Sequence, residues 1–337
     1  MKYSVIIPVF NRPDEVDELL ESLTGQTERN FDVVVVEDGS SNPCEEVCLK
    51  YADRLDIHYY AKDNSGPGPS RNYGVERAEG EYVLILDSDC VLPPGYLEAI
   101  DRELKTNPCD AFGGPDRAHE SFTQVQKAIS YSMTSFFTTG GIRGGKKKMD
   151  KFYPRSFNMG VKRSVYNALG GFSRMRFGED IDFSIRIFKG GYKCRLFPEA
   201  WVWHKRRTDM DKFFRQVFNS GIARINLMKR HPGSLKPVHL LPTVFTVGVI
   251  LLIVLSLVFR LMGSWVWIYT LMPIEIYCLL LFIDSSVKNK SMSIGILSVE
   301  AAFVQLFGYG LGFIKAWWQR CVLKKGEFSA YEKNFYD

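Results

Sequence analysis

The pattern of apolar and polar positions divides the chain into two parts. Over roughly the first 110 residues, short apolar runs alternate with stretches of helical periodicity. Ser4-Val5-Ile6-Ile7, Phe31 to Val36, Ile57-His58-Tyr59-Tyr60 and Tyr82 to Leu86 read as strands. Val16, Leu19, Leu20 and Leu23 recur at i, i+3, i+4 and i+7, one buried helical face, with Pro13 suited to the first turn. A weaker helix is expected over about 43–53, and another from the glycine- and proline-rich turn at 64–72 to about Ala78. Such alternation predicts a mostly parallel α/β sheet with helices on both faces.

From Ala111 to Asp150 the alternation stops. Phe112 to Arg117 reads as a strand end and turn, and Ser121 to Phe137 as a helix. Thr139 to Lys148 is glycine-rich and basic, with Arg143 and Lys146 as its candidate anion contacts; it reads equally as a phosphate cradle and as a solvated loop. Ser156 to Val161 predicts a strand returning to the sheet, followed by a short helix from Ser164 that Gly170-Gly171-Phe172 closes.

The C-terminal third is different. Asp211 to Lys229 predicts a helix, and Leu240 to Phe259 is apolar for about twenty residues, enough to span a bilayer. A second apolar stretch runs from Trp265 to Ile283, interrupted by Pro273 and Glu275. Lys229, Arg230 and Lys236 before the pair, with Lys288 and Lys290 after it, place both flanks on the cytoplasmic side. A third stretch, Ile294 to Ile314, contains Glu300 and Gln305 and reads either as a span or as an interfacial segment. If it spans, the basic tail with Lys315, Arg320, Lys324 and Lys325 ends outside, against the charge rule. The expected organisation is a nucleotide-binding half (1–110), an acceptor half of the same domain (111–232) and a membrane anchor (233–337).

Composition agrees with a folded chain: 46% hydrophobic and 24% charged residues. The net charge of +5 is concentrated after residue 140, which suggests a membrane surface, and no motif for reading nucleic acid is found. Seven dispersed cysteines without a zinc spacing fit reduced thiols. The first strand begins almost at once, leaving no room for a signal peptide, so the bulk of the chain is expected to face the cytoplasm.

Three of the predicted strands deliver polar residues to one sheet edge: Phe10-Asn11, Glu37-Asp38-Gly39-Ser40 and Asp87-Ser88-Asp89. Ligands of open α/β sheets bind at the strands' carboxyl ends, so this edge suits a nucleotide. A Gly-x-Gly-x-x-Gly turn is absent after the first strand, where Pro8-Val9-Phe10-Asn11 stands, and a P-loop is absent too. Two carboxylates one residue apart repel unless a cation or a strong hydrogen-bond partner offsets them; a divalent ion with a bound diphosphate would. Phe10 suits stacking on a base and Asp38 suits a base N–H, against core packing and a turn as the plain alternatives.

In order and spacing, Ser4 to Asn11, Val36 to Ser40, Gly66 to Asn72 and Leu86 to Asp89 resemble the family-2 glycosyltransferases of GT-A fold. That resemblance implies a GT-A-type, Rossmann-like sheet and transfer of a sugar from a nucleotide-diphosphate donor, UDP-linked by preference, to a glycan or lipid-linked acceptor. It places Pro8, Phe10, Asn11, Asp38, Arg71, Asp87 and Ser88 at the nucleotide sugar. Asp89, with Asp87, would hold Mg²⁺ or Mn²⁺. Glu37 stands where the family often has a second Asp.

In Phe177 to Ser184 the acids read plainly as a helix's first turn. By resemblance, Asp180 is the general base of inverting transfer, Glu179 supports it, and Asp182 lies toward the acceptor. A lone histidine such as His204 is more often structural, but several GT-A enzymes use a late histidine as a further metal ligand. The Gln-x-x-Arg-Trp signature of processive synthases is missing, which favours single-sugar transfer. The rival readings are a nucleotidyltransferase of similar sheet and a non-catalytic membrane or glycan-binding scaffold.

Overall fold

The structure is a computed structural model and describes residues 3–117, 122–139, 152–175, 177–205 and 207–327. In chain order the elements begin β1 (Tyr3–Val9), α1 (Pro13–Thr24), β2 (Phe31–Asp38), α2 (Glu45–Tyr51), β3 (Ile57–Lys62), α3 (Pro67–Val75) and β4 (Tyr82–Leu86). There follow β5 (Cys90–Val91), α4 (Tyr96–Thr106), β6 (Ala111–Gly113), β7 (Asp116–Arg117), α5 (Gln124–Thr134) and α6 (Phe136–Thr139). Next come β8 (Asn158–Lys162), α7 (Arg163–Ala168), α8 (Glu179–Lys189), β9 (Cys194–Leu196) and β10 (Val202–His204). The chain continues with α9 (Met210–Arg230), α10 (Leu241–Leu261), α11 (Val266–Asn289) and α12 (Met292–Trp317).

Contacts sort these residues into two compact units, one of residues 3–117 with 152–205, the other of 122–139 with 207–327. The segment 111–232, expected as one acceptor half, is therefore divided between them. The first unit is the predicted α/β sheet. Its seven strands run in the order β3-β2-β1-β4-β8-β6-β9. β3, β2, β1 and β4 are parallel, and β8 inserts antiparallel between β4 and β6. Successive residues of each strand enter opposite cores, as the pleat requires. Val5, Ile7, Val33, Val35, Leu84 and Leu86 pack on α1, α2 and α4. Ile6, Val34, Val36, Val83 and Ile85 pack on α3, α7 and α8. Burial on both faces explains why Phe31 to Val36 reads as an almost unbroken apolar run; its one acid, Asp32, accepts from Ser4 Oγ. Gly160 lets β8 pass over the Phe112 ring, which stacks on Phe197 at 4.4 Å; a Cβ there would enter the ring.

A small sheet, β5-β10-β7, lies in the same unit, with β10 antiparallel to β5. Strand order reverses between β1 and β4, paired neighbours whose carboxyl ends mark the switch point of the sheet.

The second unit is helical and is built on α12. Gly308 and Gly312, one turn apart, bring α12 against α9. A Cβ at Gly312 would run into the Phe218 carbonyl oxygen, and one at Gly308 would lie 2.5 Å from Val217. Among the described residues, three helices are long and apolar enough to cross a membrane: Pro237–Leu261, Val266–Asn289 and Met292–Val322, with mean hydropathies of 2.7, 2.0 and 1.5. α11 runs through Pro273 without a break. Membrane helices tolerate such a proline when local adjustments satisfy the freed carbonyl.

Candidate active site

The site is built from the loops that follow β1, β2 and β4. Asn11 adopts the left-handed conformation (φ +53°), which asparagine tolerates better than most residues. Its N–H donates to Ser40 Oγ at 2.7 Å, and its side-chain oxygen accepts from Ser41 Oγ and the Asn42 N–H at 3.1 and 2.9 Å. Asn11 therefore laces the β1 loop to the β2 loop. Pro8 and Phe10 are half-buried beside it, Pro8 in register with Val36. Glu37 secures the β2 loop from below, accepting from Ser40 and from the Cys44 N–H.

Asp38, expected at the base, is only 1% exposed. It accepts the Ser65 and Gly66 N–H groups at 2.9 and 2.8 Å and pairs with Lys62. Its carboxylate is thus committed to the 64–66 loop, where Gly66 (φ +90°) turns the chain into α3. In this structure its direct partners are protein groups.

Arg71 and Asn72, consecutive on α3, connect that helix to the acids. The buried Arg71 guanidinium donates to Asp87 Oδ1 at 2.8 Å and to Glu179 Oε1 at 3.0 Å, and lies 5.2 Å from the Phe172 ring centre. Burial alone would weaken its charge, but Asp87 and Glu179 outweigh it and raise its pKa. Asn72 accepts the Phe172 N–H at 2.8 Å and Tyr166 Oη at 2.7 Å, and donates to the Phe172 carbonyl at 2.9 Å. It fixes the Gly170-Gly171-Phe172 turn, whose Gly171 has φ +65° and no room for a Cβ beside Asn72.

That turn and Gly178 (φ +84°) aim the first turn of α8. Burial pushes the Glu179 carboxyl above its ordinary value; Arg71 opposes the shift and Asp180 adds to it. Asp180 accepts the Ile181 N–H at 2.8 Å and pairs with Arg155 at 3.1 Å, its side chain 16% exposed. Asp182 is buried, accepting from Ser173 Oγ at 2.6 Å and from Arg186 at 2.9 Å, while Arg186 also donates to the Leu169 and Gly171 carbonyls. These bonds brace the Gly170-Gly171-Phe172 turn.

Asp89 and His204 are brought together by the short sheet, in which Cys90 and His204 are register partners. His204 Nε2 lies 3.2 Å from Asp89 Oδ1, and the ring stacks on Phe157 at 4.8 Å. One ligand atom each of Asp89, Cys90 and His204 falls within 4.8 Å of the others. A carboxylate with an imidazole suits Mn²⁺ or Mg²⁺, whereas the buried Cys90 thiol, which donates to the Phe157 carbonyl, is a poor ligand for a hard ion. Asp87, expected to share the metal, lies outside this cluster and is held by Arg71. Ser88 is buried between the two acids. Arg143 and Lys146 lie outside the described residues.

Sequence patterns missed two cations here. Arg12 donates to Asp89 Oδ2 at 2.9 Å, and Arg155 pairs with Asp180. Neither lies in a periodic segment; the only signal was basic residues between predicted elements.

The sheet order and the acids gathered at this edge are those of a GT-A-type domain. Residues 4–170 match the family model Glycosyl transferase family 2. An uncharacterized glycosyltransferase of Rickettsia felis is 33% identical over 137 residues, covering 41% of this chain and 22% of that protein. Glycosyltransferase AglE of Haloferax volcanii is 24% identical over 251 residues, covering 73% of this chain and 80% of that one. Among solved structures, a mannosyltransferase from Pyrobaculum calidifontis in complex with GDP-Man and Mn²⁺ shares the fold, with a TM-score of 0.58 at 15% identity. It matches over 94% of this chain and 87% of its own. The chain spans less than a third of the length of the first Rickettsia relatives it matches. Residues 4–170 of the chain thus form a glycosyl transferase family 2 domain.

Proposed function

We propose that the protein transfers one sugar from a nucleoside-diphosphate donor to a hydroxyl of a glycan or lipid-linked acceptor, with inversion at the anomeric carbon. The observation that carries this reading is Arg71, which joins Asp87 to Glu179 and so ties the Asp87-Ser88-Asp89 loop to the start of α8. Two acid sites far apart in sequence thereby become neighbours through one buried cation.

In the proposed reaction Phe10 stacks on the base, and Asn11 and Asp38 hold the loops that enclose it. Asp89 and His204 would hold Mg²⁺ or Mn²⁺, whose charge offsets that on a departing diphosphate. The acceptor oxygen attacks the anomeric carbon as the bond from that carbon to the diphosphate oxygen breaks, and the hydroxyl proton passes to Asp180. Arg155 holds the Asp180 carboxylate in place through their ion pair. Glu179, with Arg71, fixes the first turn of α8 beneath it. Attack opposite the leaving group without a covalent enzyme intermediate gives inversion.

Three long apolar helices support membrane anchoring, and the basic flanks of the first two support a cytoplasmic site. An anchored site meets acceptors at the bilayer, which favours a lipid-linked hydroxyl.

The test is incubation of purified protein with a panel of nucleotide sugars, UDP-sugars first, a lipid-linked acceptor and Mn²⁺. Release of nucleoside diphosphate with a product of inverted configuration is expected. Retained configuration would refute the single-displacement step. Release of pyrophosphate from nucleoside triphosphates instead would favour nucleotidyl transfer.

A further inference from the structure

The helical unit assigns different jobs to its three apolar helices. We infer that only α10 and α11 cross the bilayer, as a hairpin, and that α12 lies along the membrane face from which the hairpin enters. The tail after α12 then stays on that face. The inference rests on the membrane-anchoring reading above and fixes its topology.

The hairpin is antiparallel, with Ser256 Oγ donating to the Trp267 carbonyl near its tip and Phe245 meeting Tyr277 near its base. The contacts of α12 with it fall at the base. Ser285 Oγ donates to Ser298 Oγ at 2.7 Å, and Thr246 Oγ1 to the Leu306 carbonyl at 3.2 Å. Phe245 packs on Phe303 and Phe307, and Gly310 lies against Pro242 and Thr246. From Phe303 to Gly310, α12 stays level with Pro242 to Thr246 at the start of α10. A third span parallel to α10 would advance toward the tip over the same residues. Beyond the base the outer face of the hairpin is exposed, with Leu251 and Leu257 each 55% exposed. Only 6% of the apolar window of α11 is buried, against 44% of that of α12. Arg260, Trp265 and Trp267 at the tip suit the far headgroup layer.

What covers α12 decides its position. α9 lies along its second half, with Gly221 against Tyr309 and Phe313, Phe218 against Gly312, and Ile222 and Ile225 in one cluster with Phe313 and Ala316. The outer face of α9 exposes Asp211, Lys212, Arg215, Lys229 and Arg230. α12 itself exposes Glu300 and Lys315. If α12 crossed the bilayer, α9 would carry its charges into hydrocarbon, where each is strongly unfavourable. Laid at the surface, the same helices keep these charges in water and leave Trp317 and Trp318 exposed for the headgroup boundary. The basic tail residues Arg320, Lys324 and Lys325 then share the side of Lys229 and Lys236, which removes the conflict with the charge rule that a third span creates.

The test uses the full chain in sealed bacterial membrane vesicles of both orientations, with Cys194, Cys278 and Cys321 replaced by Ser; the other cysteines are buried. Lys229→Cys, Ser264→Cys and Gly326→Cys are then introduced one at a time and probed with a membrane-impermeant maleimide. Labelling of positions 229 and 326 from one face and of 264 from the other is the expected result. Position 326 labelled from the same face as 264 would overturn the inference in favour of three spans. Position 264 labelled from the face of 229, or only after detergent, would refute the crossing hairpin. Failure of the chain to sediment with membranes would overturn the anchoring reading itself.

Discussion

Arg71→Ala removes the cation between the two acid sites. The guanidinium makes two charge-assisted hydrogen bonds, at 2.8 Å to Asp87 and 3.0 Å to Glu179, and its own side chain is 4% exposed. Removing one partner of a buried ion pair costs about 3–5 kcal/mol, because the remaining charge is left without compensation. Glu179 is 12% exposed and cannot recover its hydration, whereas Asp87 at 31% regains part of it. The lower end, about 3 kcal/mol, is therefore expected, and at about 2–4 °C per kcal/mol it lowers the unfolding temperature by about 6–12 °C. Thermal unfolding of the detergent-solubilised protein measures this, and calorimetry with nucleotide sugar measures the accompanying loss of donor binding. Glu179→Gln added to Arg71→Ala removes the stranded carboxylate and should restore part of the lost stability. A single variant as stable as the parent, or a double variant with no recovery, would refute the bridging role of Arg71.

Other consequences can be measured independently. Burial raises the Glu179 carboxyl above its ordinary 4.5, so the folded chain binds this proton more tightly than the unfolded chain does. Its contribution to stability is complete below about 4.5 and is lost as pH rises through the raised value. The stability of the parent relative to Glu179→Gln should fall as pH increases from there, and denaturant titrations showing a flat or rising difference would contradict the assignment. Gly312→Ala should cost about 1–3 kcal/mol by forcing α12 away from the Phe218 carbonyl. Gly248→Ala, which meets nothing within 4 Å, serves as its control and should be neutral or stabilising. Asp89→Ala should abolish Mn²⁺-dependent nucleotide binding in calorimetry and His204→Ala weaken it; unchanged Mn²⁺ dependence in both would remove the pair as ligands.

The sheet was legible because strands buried on both faces carry nearly continuous apolar runs, as Phe31 to Val36 does with every side chain buried. The acids were legible as residues but not as neighbours. Asp89 meets His204 through the register of β5 with β10, strands of two and three residues that are too short to show a pattern. Arg12 and Arg155 lie outside the strong apolar periodicities, and nothing local says which acid they reach. Asp182 reads as part of an acid cluster, and nothing local shows its pairing with Arg186 under the Gly-Gly-Phe turn. In the C-terminal third, hydropathy identified apolar helices by composition. The partner of α12 depended on Gly221 admitting Tyr309 and Phe313, and on Gly308 and Gly312 admitting Val217 and Phe218, which spacing within one helix does not reveal.

The central claim is that Asp180 takes the acceptor's proton while the donor is held elsewhere in the site. Single-turnover transfer by Asp180→Asn, measured beside calorimetric donor binding, tests it directly. The side chain keeps its size, and its amide can no longer accept the proton as a carboxylate does. Transfer reduced by at least about 100-fold, with donor affinity within about threefold of the parent, is the predicted result for loss of a general base. Undiminished transfer would contradict the assignment, and an equal loss of donor binding would move Asp180 from the acceptor to the donor side of the site.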